Sequence, residues 1–244
     1  LLKREAKKEI NLLNSIVINQ NKEEVINKIV IENEQIDLNS KENINEVKIE
    51  NERISKVKEL KKTNEDIVGW LEIANTDINY PVLQGSDNSY YMTHNYKKEK
   101  SKNGAIFLDK DYDWEKPSEN LLIYGHNMNN GTMFQELLKY KSQEFYENHP
   151  IIRFTTQNED SEYEIISVFK SKVYYKSEKD VFRYYYFINA KSEAEYDQFV
   201  KNAKSASLYK INKDAKYGEQ LITLSTCSYH VKDGRFVIVG RKKN

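Results

Sequence analysis

One cysteine, Cys227, four histidines and the arginines are the side chains of this sequence with the chemistry for a nucleophilic site. A thiol attacks as its thiolate, so it needs a base or a positive field beside it. A lone cysteine is commonly no more than a small buried hydrophobe, and its neighbours have to argue for anything further. Cys227 ends the run Leu221-Ile222-Thr223-Leu224-Ser225-Thr226-Cys227, which reads as a strand. At a strand end pairing stops, and a side chain can face a cleft instead of a core. His126 has a matching place, because Leu122-Ile123-Tyr124-Gly125-His126 is an apolar strand followed by a glycine. His94 in a Tyr- and Asn-rich stretch, His149 before Pro150 and His230 three residues past the cysteine read as surface or structural residues. Downstream, Asp233-Gly234-Arg235 reads as a tight turn into a strand that ends at Arg241. If that strand pairs antiparallel with the preceding one, Arg235 lies near Cys227, where a guanidinium can stabilise an oxyanion. Taken alone, an arginine at a strand edge is a solvated charge.

The elements that would position these residues begin after Thr63. Short β-rich runs bounded by Gly, Pro, Asn and Asp predict strands over Trp70–Ile73, Ile78–Leu83, Ala105–Leu108, Leu121–Tyr124, Tyr163–Phe169, Leu221–Leu224 and Phe236–Val239. Many short strands predict a barrel or a sandwich. Helical periodicity interrupts them at Met133–Tyr140 and Ala194–Ala203, where Tyr196, Phe199 and Val200 form a stripe read as core. Residues 1–62 contain no Gly, Pro or aromatic residue and place Ile44, Val47, Ile54 and Val57 at helical spacing. They predict a helical N-terminal arm, with Asn39 and Glu42 as a short capping box for its second stretch, ahead of a catalytic domain over 63–244.

Composition limits the rest. Lys plus Arg equals Asp plus Glu at 38 each in 244 residues, so net charge argues for no nucleic-acid partner. No run approaches the ~18 apolar residues of a membrane span. The sequence is therefore expected to be cytosolic or to depend on an anchor outside it. With one cysteine there is no intramolecular disulfide, and no cluster of ligand residues predicts a metal or other cofactor.

Thr223-Leu224-Ser225-Thr226-Cys227 with Arg235 eight positions on, and Tyr124-Gly125-His126-Asn127-Met128 upstream, resemble the signature of sortases, class B in particular. So do Gly69-Trp70-Leu71-Glu72-Ile73, Ile78-Asn79-Tyr80-Pro81-Val82, Asp87-Asn88-Ser89-Tyr90-Tyr91, Gly104-Ala105-Ile106-Phe107-Leu108-Asp109 and Gly131-Thr132-Met133-Phe134. The resemblance spans about Asn64 to Arg241. It implies a mainly β, α+β fold: a closed eight-stranded sortase barrel with N-terminal helices and short peripheral ones. It implies Cys227 as nucleophile, His126 as general acid and base, and Arg235 as the positioner of substrate and oxyanion. It further implies groove-lining positions at Asn88, Met92, Tyr124, Tyr185 and Ser225. As simpler roles, Asn88 is a turn residue, Met92 core filler, Tyr185 a strand aromatic and Ser225 a hydroxyl facing away. Lys170–Arg183 fits the family pattern least, which leaves the groove wall open.

The activity so implied is transpeptidation: cleavage of a sorting signal of the NPxTx, SPxTG or LPxTG type after Thr, then transfer to a peptidoglycan amine. The expected location is the outer face of a Gram-positive membrane, through an N-terminal anchor. Three readings compete. A pilin-polymerising sortase would bring an extended lid. A papain-like hydrolase would place its cysteine before the histidine and at a helix start, the reverse of the order here. A non-enzymatic extracellular β-domain would merely bury Cys227.

Overall fold

The computed structural model describes residues 38–243; residues 1–37 of the expected arm and the side chains behind the Asn39–Glu42 cap lie outside the described residues. The first described element is helix α1 (Leu38–Thr63). Among its described stripe residues, Val57 is buried, with Leu60 beside Ile67, Trp70 and Leu83, Ile54 is half-buried and Val47 is 56% exposed.

Eight strands follow: β1 (Ile67–Glu72), β2 (Asn79–Leu83), β3 (Ile106–Leu108), β4 (Asn120–Tyr124), β5 (Ile151–Thr155), β6 (Asp160–Lys172), β7 (Leu221–Cys227) and β8 (Gly234–Lys242). They close into a barrel in the order β1-β2-β3-β4-β7-β8-β6-β5. The closed eight-stranded barrel with a few helices is the expected fold. All seven predicted strands form. The eighth, β5, escaped the pattern because it is five residues long and carries a charge at its centre. Ile152 and Phe154 point into the core, and Arg153 turns outward to Asp160.

The predicted helix at Met133–Tyr140 is a run of 3₁₀ turns over Phe134–Lys141, and α2 (Gln143–Asn148) follows it, capped by the Ser142 hydroxyl accepting from the Phe145 N–H. Helix α3 (Glu193–Ala206) buries Tyr196, Phe199 and Val200 against the barrel as the stripe predicts.

Two pairings decide where the chemistry can sit. β4 and β7 run parallel, with Tyr124 beside Ser225, so both C-terminal ends emerge at one end of the barrel. β7 and β8 run antiparallel, with Cys227 directly opposite Arg235. The first pairing is non-local, separated by about a hundred residues of chain.

Candidate active site

At the shared end of β4 and β7 the chain is stitched by polar contacts. The Gly125 N–H donates to the Ser225 carbonyl at 3.2 Å, the Thr226 hydroxyl to the Gly125 carbonyl at 2.8 Å, and the Asn127 amide to the Cys227 carbonyl at 3.0 Å. His126 and Cys227 leave their strands side by side as a result. The half-buried Cys227 is unpaired. Arg235 donates from Nη1 only to the carbonyls of Asp233 (3.2 Å) and Gly234 (3.0 Å) in its own turn, and no salt bridge of Arg235 occurs among the described residues.

His126 is held from the other side. Its Nε2 lies 2.7 Å from the Met92 carbonyl. A carbonyl only accepts, so Nε2 carries the proton, and in the neutral ring Nδ1 is the nitrogen free to exchange one. Met92 ends a 3₁₀ turn over Tyr90–Met92, fixed by the Ala105 N–H on the Tyr91 carbonyl (2.8 Å) and the Tyr91 hydroxyl on Asp66 (2.6 Å).

These elements enclose a cavity of about 260 Å³. His126, Cys227 and Arg235 line it, together with all five predicted groove positions, Asn88, Met92, Tyr124, Tyr185 and Ser225. Pattern reading missed Phe107, Gly125, Val173, Tyr184 and Thr226, which complete the wall. Two of the simpler roles, core filler for Met92 and strand aromatic for Tyr185, do not match this geometry, whereas Asn88 sits in a bend as its simpler role has it. Met92 is 44% exposed and not core filler, and Asn88 and Ser225 face the cavity. Tyr185 sits in a 3₁₀ turn over Tyr184–Tyr186 instead of a strand, its hydroxyl accepting from the Tyr174 N–H at 3.0 Å. Lys170–Arg183, the stretch with the weakest likeness, ends β6 and continues as a loop that supplies Val173 to the wall. Arg183 ties that loop by donating to the carbonyls of Tyr175 and Glu178, both at 2.7 Å.

Two tyrosines are firmly protonated. Burial, then the charge of Asp109 and the hydrogen bond to it, pushes the Tyr124 hydroxyl pKa far above its ordinary value. Burial does the same for Tyr184, whose hydroxyl shares a 2.7 Å hydrogen bond with Ser225. Both are hydrogen-bonding walls and not proton carriers. His94 stacks on Tyr90, His149 on Phe145, and His230 bonds Ser228, so the remaining histidines are occupied outside the cavity. Among the described residues no group of three or more His, Cys, Asp or Glu could hold a metal ion, and no helix is long and apolar enough to cross a membrane.

The sortase domain model matches residues 71–243. Sortase B of Listeria monocytogenes is 36% identical over 188 residues, covering 76% of this chain and 73% of that protein. Sortase B of Staphylococcus aureus is 32% identical over 75% of this chain and 73% of its own length. This chain belongs to the class B sortases. Among solved structures, a Clostridium perfringens sortase B aligns with a TM-score of 0.71 at 29% identity, covering 80% of this chain and 89% of that one. A Staphylococcus aureus sortase B-substrate complex aligns at 0.68 and 29% identity, covering 78% and 85%. The sortase is a cysteine transpeptidase that anchors surface proteins to the cell wall, and the binding-domain and hydrolase readings fall away.

Proposed function

We propose that Cys227 is the nucleophile, His126 the general acid and base, and Arg235 the oxyanion donor of this sortase. The observation that carries the reading is the pairing of β7 with β4 and β8, which brings a thiol, an imidazole and a guanidinium without a carboxylate partner to one cavity. The Cys227 thiolate attacks the carbonyl carbon of the Thr–X bond, and the oxyanion accepts from Arg235. Collapse forms the thioester and breaks the C–N bond, and the proton on His126 goes to the leaving amine. An acceptor amine then attacks the thioester, gives its surplus proton to neutral His126 and releases the thiolate.

The bound substrate is a sorting-signal peptide, supported by a structural neighbour solved as a sortase B-substrate complex. Its signal is of the NPxTx, SPxTG or LPxTG type and lies along Asn88, Met92, Tyr124, Tyr185 and Ser225. The acceptor is a peptidoglycan amine. The protein works at the surface of a Gram-positive cell, in keeping with its relatives, and is tethered to the outer face of the membrane by an N-terminal anchor. Residues 1–62 serve as the arm between that anchor and a catalytic domain over 63–244.

Mass spectrometry of the protein incubated with Asn-Pro-, Ser-Pro- and Leu-Pro-initiated signal peptides, with and without an added amine, tests this. An acyl adduct on Cys227 or a product cut after Thr is expected, and Cys227→Ala should abolish both. Cleavage by Cys227→Ala, or a folded wild type whose thiol resists alkylation, would remove the assigned nucleophile.

A further inference from the structure

Asp109 lines no part of the cavity, yet two of the residues that do are hung on it. Only 4% exposed, it sits just past β3 and draws together three stretches of chain. Its Oδ2 accepts from the Tyr124 hydroxyl at 2.9 Å and from the Asn88 amide at 2.9 Å, and its Oδ1 accepts from the Asp111 N–H at 3.0 Å. The backbone at Asp109 is fixed too, by its N–H on the Leu122 carbonyl (2.8 Å) and by the Gln84 amide on its own carbonyl (3.0 Å). The Lys110 N–H donates to Asn88 Oδ1 at 2.8 Å, which settles which way the Asn88 amide is turned.

With its proton committed to Asp109, the Tyr124 hydroxyl has only lone pairs left to offer the cavity. We infer that Asp109 is a specificity-positioning residue: it fixes Tyr124 and Asn88 so that the Tyr124 hydroxyl accepts a hydrogen bond from the peptide and rejects a group that presents an acceptor to it, while Asn88 is held with its second amide N–H uncommitted to Asp109. The inference rests on the proposed peptide site. The chemistry read by the Tyr124 hydroxyl is a donor on the sorting signal, a hydroxyl, an amide or a backbone N–H. Nothing in this arrangement touches the thiol, so the effect belongs to peptide binding and not to nucleophile activation.

The test uses the active protein and four variants. In Asp109→Leu, which keeps the bulk and removes both acceptor oxygens, kcat/KM for the sorting peptide should fall about tenfold or more, carried by KM. Alkylation of Cys227 by iodoacetamide should stay within about twofold of wild type. Asp109→Asn, which keeps one acceptor oxygen, should recover part of the loss. Tyr124→Phe deletes the same hydrogen bond from the other side, so the Asp109→Asn/Tyr124→Phe double variant should lose little beyond the worse single one. A folded Asp109→Leu with wild-type KM overturns the inference, and so do additive losses in the double variant. If Asp109→Leu does not fold, that double variant decides alone. A wild type that gives no product with any signal peptide would instead sink the proposed site itself, and is told apart by its own control.

Discussion

Strand β8 carries an arginine near each end, and the two have opposite surroundings. Arg241 donates to Glu219 at 2.9 Å and to Glu164 at 2.7 Å, a guanidinium neutralised by two carboxylates at the far end of the barrel. Arg235, opposite Cys227, has only the carbonyls of its own turn and faces the cavity. Residue type and strand position are shared, so neither separates a structural arginine from a chemical one. What separates them is whether the fold supplies the counter-charge or leaves it to the substrate.

The sharpest way to break that contrast is to remove the guanidinium at each end, keeping a charge beside the cavity and none at the far end. Arg235→Lys should lower kcat/KM by on the order of 10²–10³, because a point charge cannot reproduce two directed donors on an oxyanion. Its melting temperature should barely move, since no salt bridge is lost. Arg241→Gln should do the reverse: steady-state kinetics near wild type, and stability lower by about 1 kcal/mol for a partly exposed pair network. In a domain of this size that is about 2–4 °C in Tm. Near-normal turnover by Arg235→Lys, or a catalytic defect in Arg241→Gln, would reverse the assignment.

Two glycines extend the comparison to the backbone. Gly104 and Gly218 both hold positive φ, +59° and +94°. A Cβ on Gly104 would stand 2.5 Å from the Tyr91 carbonyl oxygen and 2.7 Å from that of Met92, the atom holding His126, whereas one on Gly218 meets nothing within 4 Å. Gly104→Ala must push the Met92 carbonyl aside, and kcat should fall about tenfold or more. Gly218→Ala should cost only the backbone strain, about 1 kcal/mol of stability, with kcat unchanged. Equal kcat in the two variants, measured on folded protein, would mean that the Met92 carbonyl does not orient His126.

The contrast also explains how much was legible beforehand. Cys227 and Arg235 flank a tight turn, so their pairing follows from local spacing once two strands are granted. Placing His126 beside them depends on β4 lying parallel to β7 across about a hundred residues, and only the resemblance to sortases spoke for that. Asp109 stood in a quoted motif but had no visible partner, because Asn88, Tyr124 and Asp111 converge on it from three separate segments. Tyr185 reads as a strand aromatic since Tyr-rich runs favour strands, yet the carbonyl contacts of Arg183 and a 3₁₀ turn set it. β5 is hidden by Arg153, whose charge is satisfied by Asp160 on the neighbouring strand β6.

The smallest effect separates the two ends by pH. The hydrogen bond from Arg241, against the cost of burial and with help from Lys213, holds the Glu164 carboxyl below the ordinary glutamate range. A folded-state pKa below the unfolded one contributes stability above the unfolded value and loses it as pH falls through the folded one. Stability measured by denaturant melts should thus drop from about pH 5 downward, around and below the unfolded glutamate pKa of about 4.3. Arg241→Gln removes that guanidinium donor, so the slope in that acid window should flatten while Arg235→Lys leaves it as it is. Parallel pH slopes in the two variants would mean that the Glu164–Arg241 pair adds nothing, and that the far end of β8 is held by its strand pairing alone.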